Sequence, residues 1–149
     1  MGSNDSPIPM NKLFQWITGR GQELLPLEQL LLQKVETALS KPAAEILVMQ
    51  ITLINKVQRL DKSREVDFYR MEKGKPVFPE SALFPNHKEE FELARLRIVD
   101  PRTGHGTNAS VYLVKGRLFS IEFSCPPGDI SDLGSVEMTV ESIMDPMIE

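Results

Sequence analysis

The chain has 149 residues, 41% of them hydrophobic and 26% charged, with a formal net charge of −4. That length predicts one domain that buries about 68–70% of its unfolded surface, with the composition of an ordinary soluble protein. The acidic balance and the scatter of the basic residues argue against a nucleic-acid binder, which presents a basic face. The single cysteine, Cys125, excludes an intrachain disulfide, and no apolar run approaches the ~18–20 residues of a membrane-crossing helix.

Residues 1–9 are small, polar and broken by prolines, so they read as a flexible tail before a single domain over 10–149. The opening MGSNDSPIPM has no cationic stretch followed by an apolar one. No secretory signal is expected, and a cytoplasmic protein is. Asn11 is placed to cap a short helix through Thr18, with Leu13, Phe14 and Ile17 on one face. Pro26 suits the first turn of a second helix, in which Leu27, Leu30, Leu31, Val35, Ala38 and Leu39 keep helical spacing and Ser40-Lys41-Pro42 is the stop.

The run Glu45–Leu60 fits either a buried helix or a strand. Its β-branched content favours a long strand, turning at Asp61–Arg64 into the alternating Glu65–Met71. Pro76, Pro79 and Pro85 exclude a long element over 73–88, and Val77, Phe78, Leu83 and Phe84 predict that this connection lies on the core. Glu89–Val99 reads as a strand with Ala94, Leu96 and Ile98 on one face, and 100–107 as a polar, glycine-containing loop.

The clearest element is the hairpin Asn108–Ser124 around Lys115-Gly116. After the turn Phe119, Ile121 and Phe123 alternate with Leu118, Ser120, Glu122 and Ser124. A two-residue turn would set Tyr112 opposite Phe119. A three-residue turn, Val114-Lys115-Gly116 with Gly116 left-handed, sets Val111 opposite Phe119 and keeps one apolar face, so it is favoured. A last strand follows around Val136–Glu141. The sum is an α+β fold, with N-terminal helices packed on a mostly antiparallel sheet of about five or six strands built from hairpins.

The chemistry-bearing residues do not cluster in sequence. His87 and His105 lie on separate loops, Cys125 stands between a strand end and two prolines, and there is no nucleophile elbow or phosphate loop. No catalytic residue, metal or cofactor is predicted. Asp67 and Glu122 would form a carboxylate pair only if their strands were neighbours, and they read first as solvent-facing. Asn55 interrupts an apolar parity, and Arg70 lies in line with Val66 and Phe68, where Tyr69 and Tyr112 would share a pocket with them.

The strands QITLINKVQR, EVDFYRM and VYLVKGRLFSIEFS resemble segments of small bacterial proteins of unknown function. Those proteins carry an "-FYR-" strand and a "-G-LFSIEFS-" hairpin in the same order. The resemblance covers Glu45–Pro127, implies a strand at Glu45–Leu60 and implies no activity. The expectation is a non-enzymatic protein-interaction module of immunity or accessory type. The hairpin face with Tyr112, Leu118, Ser120 and Glu122 would meet another protein, and an edge strand is available for a homodimer. The alternative is a small-ligand-binding or enzymatic cup lined by Tyr69, Arg70, Tyr112 and Glu122. Neither nucleic acid nor membrane is expected as a partner.

Overall fold

A computed structural model describes residues 24–128, 130 and 133–149. The tail expected at 1–9 and the helix expected from Asn11 lie outside the described residues. Among the described residues two helices, α1 (Pro26–Ala38) and α2 (Lys41–Leu53), precede eight strands. These are β1 (Lys56–Leu60), β2 (Glu65–Tyr69), β3 (Met71–Glu72), β4 (Lys75–Pro76), β5 (Phe91–Val99), β6 (Gly106–Val114), β7 (Arg117–Phe123) and β8 (Glu137–Ile143). Six strands form one antiparallel sheet in the order β1-β2-β7-β6-β5-β8, and β3-β4 form a small hairpin of their own. Both helices pack on one face of the six-stranded sheet, so the fold is α+β.

Pro26 opens α1, where its missing N–H costs nothing, and the Glu28 carboxylate reaches back to accept the Leu25 N–H at 2.8 Å. Glu28 also takes both Nε and Nη2 of Arg59 (2.9 and 2.6 Å), which ties the start of α1 to β1. The same helix packs against β8, so α1 bridges the two edges of the sheet.

The run expected as one long strand is divided. Lys41–Leu53 is helix, and only Lys56–Leu60 is strand, paired with β2 in the expected hairpin. Ser40-Lys41-Pro42 therefore ends one helix and starts the next, with proline again in the first turn. Ala43, Leu47, Gln50, Ile51 and Ile54 are the buried positions, a spacing of three and four that outweighs the β-branched content. Asn55 then extends the β1–β2 ladder with its side chain: Met71 N–H donates to its Oδ1 (2.7 Å), and its Nδ2 donates to Met71 O (2.9 Å).

The central hairpin also differs from expectation. Val114 pairs with Arg117, so the turn is the two residues Lys115 and Gly116, with φ of 51° and 85°. Positive φ at both positions is the type I′ geometry, whose twist suits a hairpin. The odd residue sits in the strand instead. Leu113 pairs with Leu118 and Tyr112 with Ser120, leaving Phe119 as a bulge. Val111 consequently faces Ile121, and Ala109 faces Phe123. The bulge turns Leu118 inward, 1% exposed among the core residues, and Phe119 outward.

Gln50 locks this arrangement from α2. Its Nε2 donates to Ala82 O (2.7 Å) and Gly116 O (3.0 Å), and its Oε1 accepts Leu118 N–H (2.7 Å). The proline-rich segment lies on the core at Phe84, which is buried with its N–H on Gly116 O at 2.8 Å, whereas Phe78 and Leu83 are half-buried and Val77, also expected on the core, is exposed. Replacing Gln50 by Leu is expected to cost about 2–3 kcal/mol, because the Leu118 N–H would be buried without an acceptor. Gly116→Ala is expected to cost at least about 1–2 kcal/mol for positive φ. Its Cβ would also stand 2.8 Å from Phe84 O. Urea denaturation reads both, and a change near zero for Gly116→Ala would reject the assigned turn.

Candidate functional site

No described helix covers the other face of the sheet, and there the strand pairings bring polar residues into rows. One row runs Glu65–Glu122–Ser110–Arg95, and the next runs Asp67–Ser120–Tyr112–Glu92. Glu65 and Asp67 share this face because they are two residues apart on β2. The pair suspected from sequence, Asp67 and Glu122, does lie on neighbouring strands, as diagonal neighbours across β2 and β7.

Asp67 is not solvent-facing as expected, since it is only 5% exposed. Burial, a hydrogen bond shared with the Glu65 carboxyl, and the charges of Glu65 and Glu122 push its pKa up to about 7. Glu122 is raised too, by burial and by the charges of Glu65 and Glu90. Among the described residues, none of Glu65, Asp67 and Glu122 forms an ion pair. The nearby arginines are engaged elsewhere, Arg64 with Asp61 (3.7 Å) and Arg95 with Glu92 (2.9 Å).

A shallow groove of about 420 Å³ crosses this face, bounded by Arg64, Arg95, Ser110, Tyr112 and Glu122. A second hollow of about 210 Å³ adjoins it at Arg64, Glu65 and Glu122. Beyond the carboxyl cluster the bulged Phe119 meets Tyr69 edge to face, with ring centroids 5.8 Å apart. The Arg117 guanidinium lies over the same Phe119 ring, 5.1 Å from its centre. Burial raises the pKa of the Tyr69 hydroxyl, Asp67 adds to the rise and Arg117 opposes it.

The residues expected at the site separate into three places. Tyr112 and Glu122 line the groove together, while Tyr69 stands at the aromatic contact. Arg70, just past the end of β2, lines a different cavity with Arg117. Leu118 is core and offers no surface, because the bulge reversed its side. The reading from sequence missed Glu65, Phe119 and Arg117. The spacing of Glu65, Asp67 and Tyr69 on one strand parity was the available signal for the first.

Comparison with protein-family models, with curated proteins and with solved structures gives no match to this chain. Among the described residues, no group of three or more His, Cys, Asp or Glu side chains is placed to hold a metal ion, and no helix is long and apolar enough to cross a membrane.

Folding raises the Asp67 pKa above the ~3.9 of an unfolded aspartate. Its proton-linked contribution to stability is therefore complete below about pH 4 and is lost as the pH rises through about 7. Asp67→Asn is expected to be more stable than the wild type at pH 8 and to show a smaller loss between pH 4 and 7. Urea denaturation across that range checks this, and parallel profiles for the two proteins would exclude it.

Proposed function

We propose that this protein is a non-enzymatic binding module that engages another protein through the sheet face opposite its helices. The observation that carries the reading is the cluster of Glu65, Asp67 and Glu122, brought together on that face without an ion pair among the described residues. Like charges on paired strands oppose folding, and a partner's lysine or arginine would relieve that opposition. Tyr112 and the Tyr69–Phe119 contact supply rigid aromatic surface on either side, the residue type that anchors interfaces. The partner is therefore a protein with basic side chains on a convex or extended surface.

A second copy of this chain fits less well. Two acidic faces would repel each other. Among the described residues the edge strands of the sheet are β1, with Lys56, and β8, with Glu137 and Glu141, and charge of this kind discourages strand pairing. The small-ligand cup is supported by the near-neutral titration of Asp67. Against it, Tyr69 and Arg70 do not share the groove with Tyr112 and Glu122.

Glu122→Lys tests the reading, since Glu122 is exposed and reversing its charge leaves the core intact. Wild type immobilised in a lysate of its own source is expected to retain a basic partner at low salt and to release it as salt rises. The variant, with unchanged thermal unfolding, is expected to retain none. Equal retention by both proteins, or retention by neither, would reject the proposal.

A further inference from the structure

Arg117 is a half-buried guanidinium, and burial lowers its pKa. Among the described residues it makes no hydrogen bond and no ion pair, and its only close contact of a polar kind is the face of Phe119. Its five N–H donors form a rigid fork that matches carboxylate and phosphate oxygens. It borders a cavity of about 140 Å³ with Arg70, Pro76, Val77 and Phe78. Arg70 is held in place there, with Nη1 donating to Leu53 O (3.3 Å) and Nε to Glu72 Oε2 (3.3 Å). Its Nη2 makes no hydrogen bond among the described residues. Two arginines thus border one small cleft, and among the described residues the only carboxylate bonded to either is Glu72, which is half exposed and sits on the Nε side of Arg70.

The chain sets up this cleft by two local devices. The type I′ turn at Lys115-Gly116 places Arg117 at the first position of β7, next to the Phe119 bulge. The β3–β4 hairpin folds the chain back so that Val77 N–H donates to Arg70 O at 2.8 Å, bringing the Pro76–Phe78 wall against Arg70. The wall is made of apolar side chains, Pro76 and Val77 exposed and Phe78 half-buried, which favours an anionic group carried on a small apolar body.

We propose that the Arg70–Arg117 cleft is a binding site for a single oxyanion group, carboxylate or phosphate, whose apolar body rests on Pro76, Val77 and Phe78. The site is separate from the acidic cluster and does not depend on the protein-binding reading. Volume limits the occupant to about one such group with a few carbon atoms. The fork of either arginine can donate to a carboxylate or a phosphate oxygen.

The test uses the full chain labelled with nitrogen-15. It is titrated with isobutyrate, with inorganic phosphate, with neutral isobutyramide and with chloride, all at one ionic strength. Isobutyrate or phosphate is expected to give saturable shifts at the arginine Nε–H signals and at the Gly116, Arg117 and Val77 amides, and chloride and isobutyramide are not. Saturation by isobutyrate alone assigns the site to carboxylates, by phosphate alone to phosphates, and by both to oxyanions in general. Arg117→Gln is expected to weaken binding about tenfold or more, the loss of a charge-assisted bidentate contact. Should Arg117→Gln fail to fold, Arg117→Lys keeps the charge but not the fork and is expected to weaken isobutyrate binding several-fold. Shifts that stay linear with concentration, or affinities unchanged in the folded arginine variant, would overturn the proposal.

Discussion

The amide of Gln50 sits where the two layers of the fold meet, with no exposure to solvent. Pairing between β2 and β7 ends at Asp67 and Ser120, so the backbone of Leu118 and Gly116 lies beyond the reach of the β2 ladder. Gln50 supplies what a strand would have supplied, an acceptor for Leu118 N–H and a donor for Gly116 O. The second bond of its Nε2, to Ala82 O, gathers in the proline-rich segment. One side chain therefore ties α2 to the central turn and to the proline-rich segment at Ala82. A buried amide with all these partners is specific in a way that an apolar side chain is not, because a shift of either layer would leave several groups unpaired at once.

The bulge at Phe119 follows from the same constraint. With Leu118 held by Gln50 and turned into the core, the alternation that puts Ile121 and Phe123 inward needs one extra residue. Phe119 is that residue, and it takes its aromatic ring to the uncovered face, where Tyr69 and Arg117 meet it. Core packing and site construction are thus a single event in β7. Strand alternation in the sequence placed Ala109, Val111, Phe119, Ile121 and Phe123 on the inward face, and all but Phe119 are buried there. It could not say whether the extra residue belongs to the turn or to the strand. That choice depends on groups 66 residues or more away in sequence, at Gln50, and no local pattern encodes it.

Much of the remaining architecture was legible, for physical reasons particular to each element. Proline in the first turn and a clean apolar stripe marked α1, and alternation marked β5, β6 and the outer part of β7. The helix α2 was hidden because Ile46, Val48, Ile51 and Thr52, four of its thirteen residues, are β-branched and favoured a strand. Its burial spacing emerges only once Gln50 is counted with the core. The site was legible where its parts are joined by a hairpin, as with Tyr112 and Glu122. The meeting of Glu65 and Asp67 with Glu122, and of Arg70 with Arg117, depends on pairings between segments about fifty residues apart, which a single sequence does not reveal.

The charges on the uncovered face are kept apart by geometry and not by any shortage of counter-ions. Arg64 and Arg95 flank the groove, yet each turns to a carboxylate close by in sequence, and Arg117 turns to Phe119. Tyr69, in edge contact with Phe119, senses both surfaces: burial raises the pKa of its hydroxyl, Asp67 adds to the rise and Arg117 opposes it. A proton already offsets part of the repulsion at the acidic end, since Asp67 holds one up to about pH 7. On the proposed reading, a partner's cation and that proton are alternatives for the same carboxylates. Binding would then release the proton, and the linkage is strongest near neutrality, where Asp67 is poised between its two states.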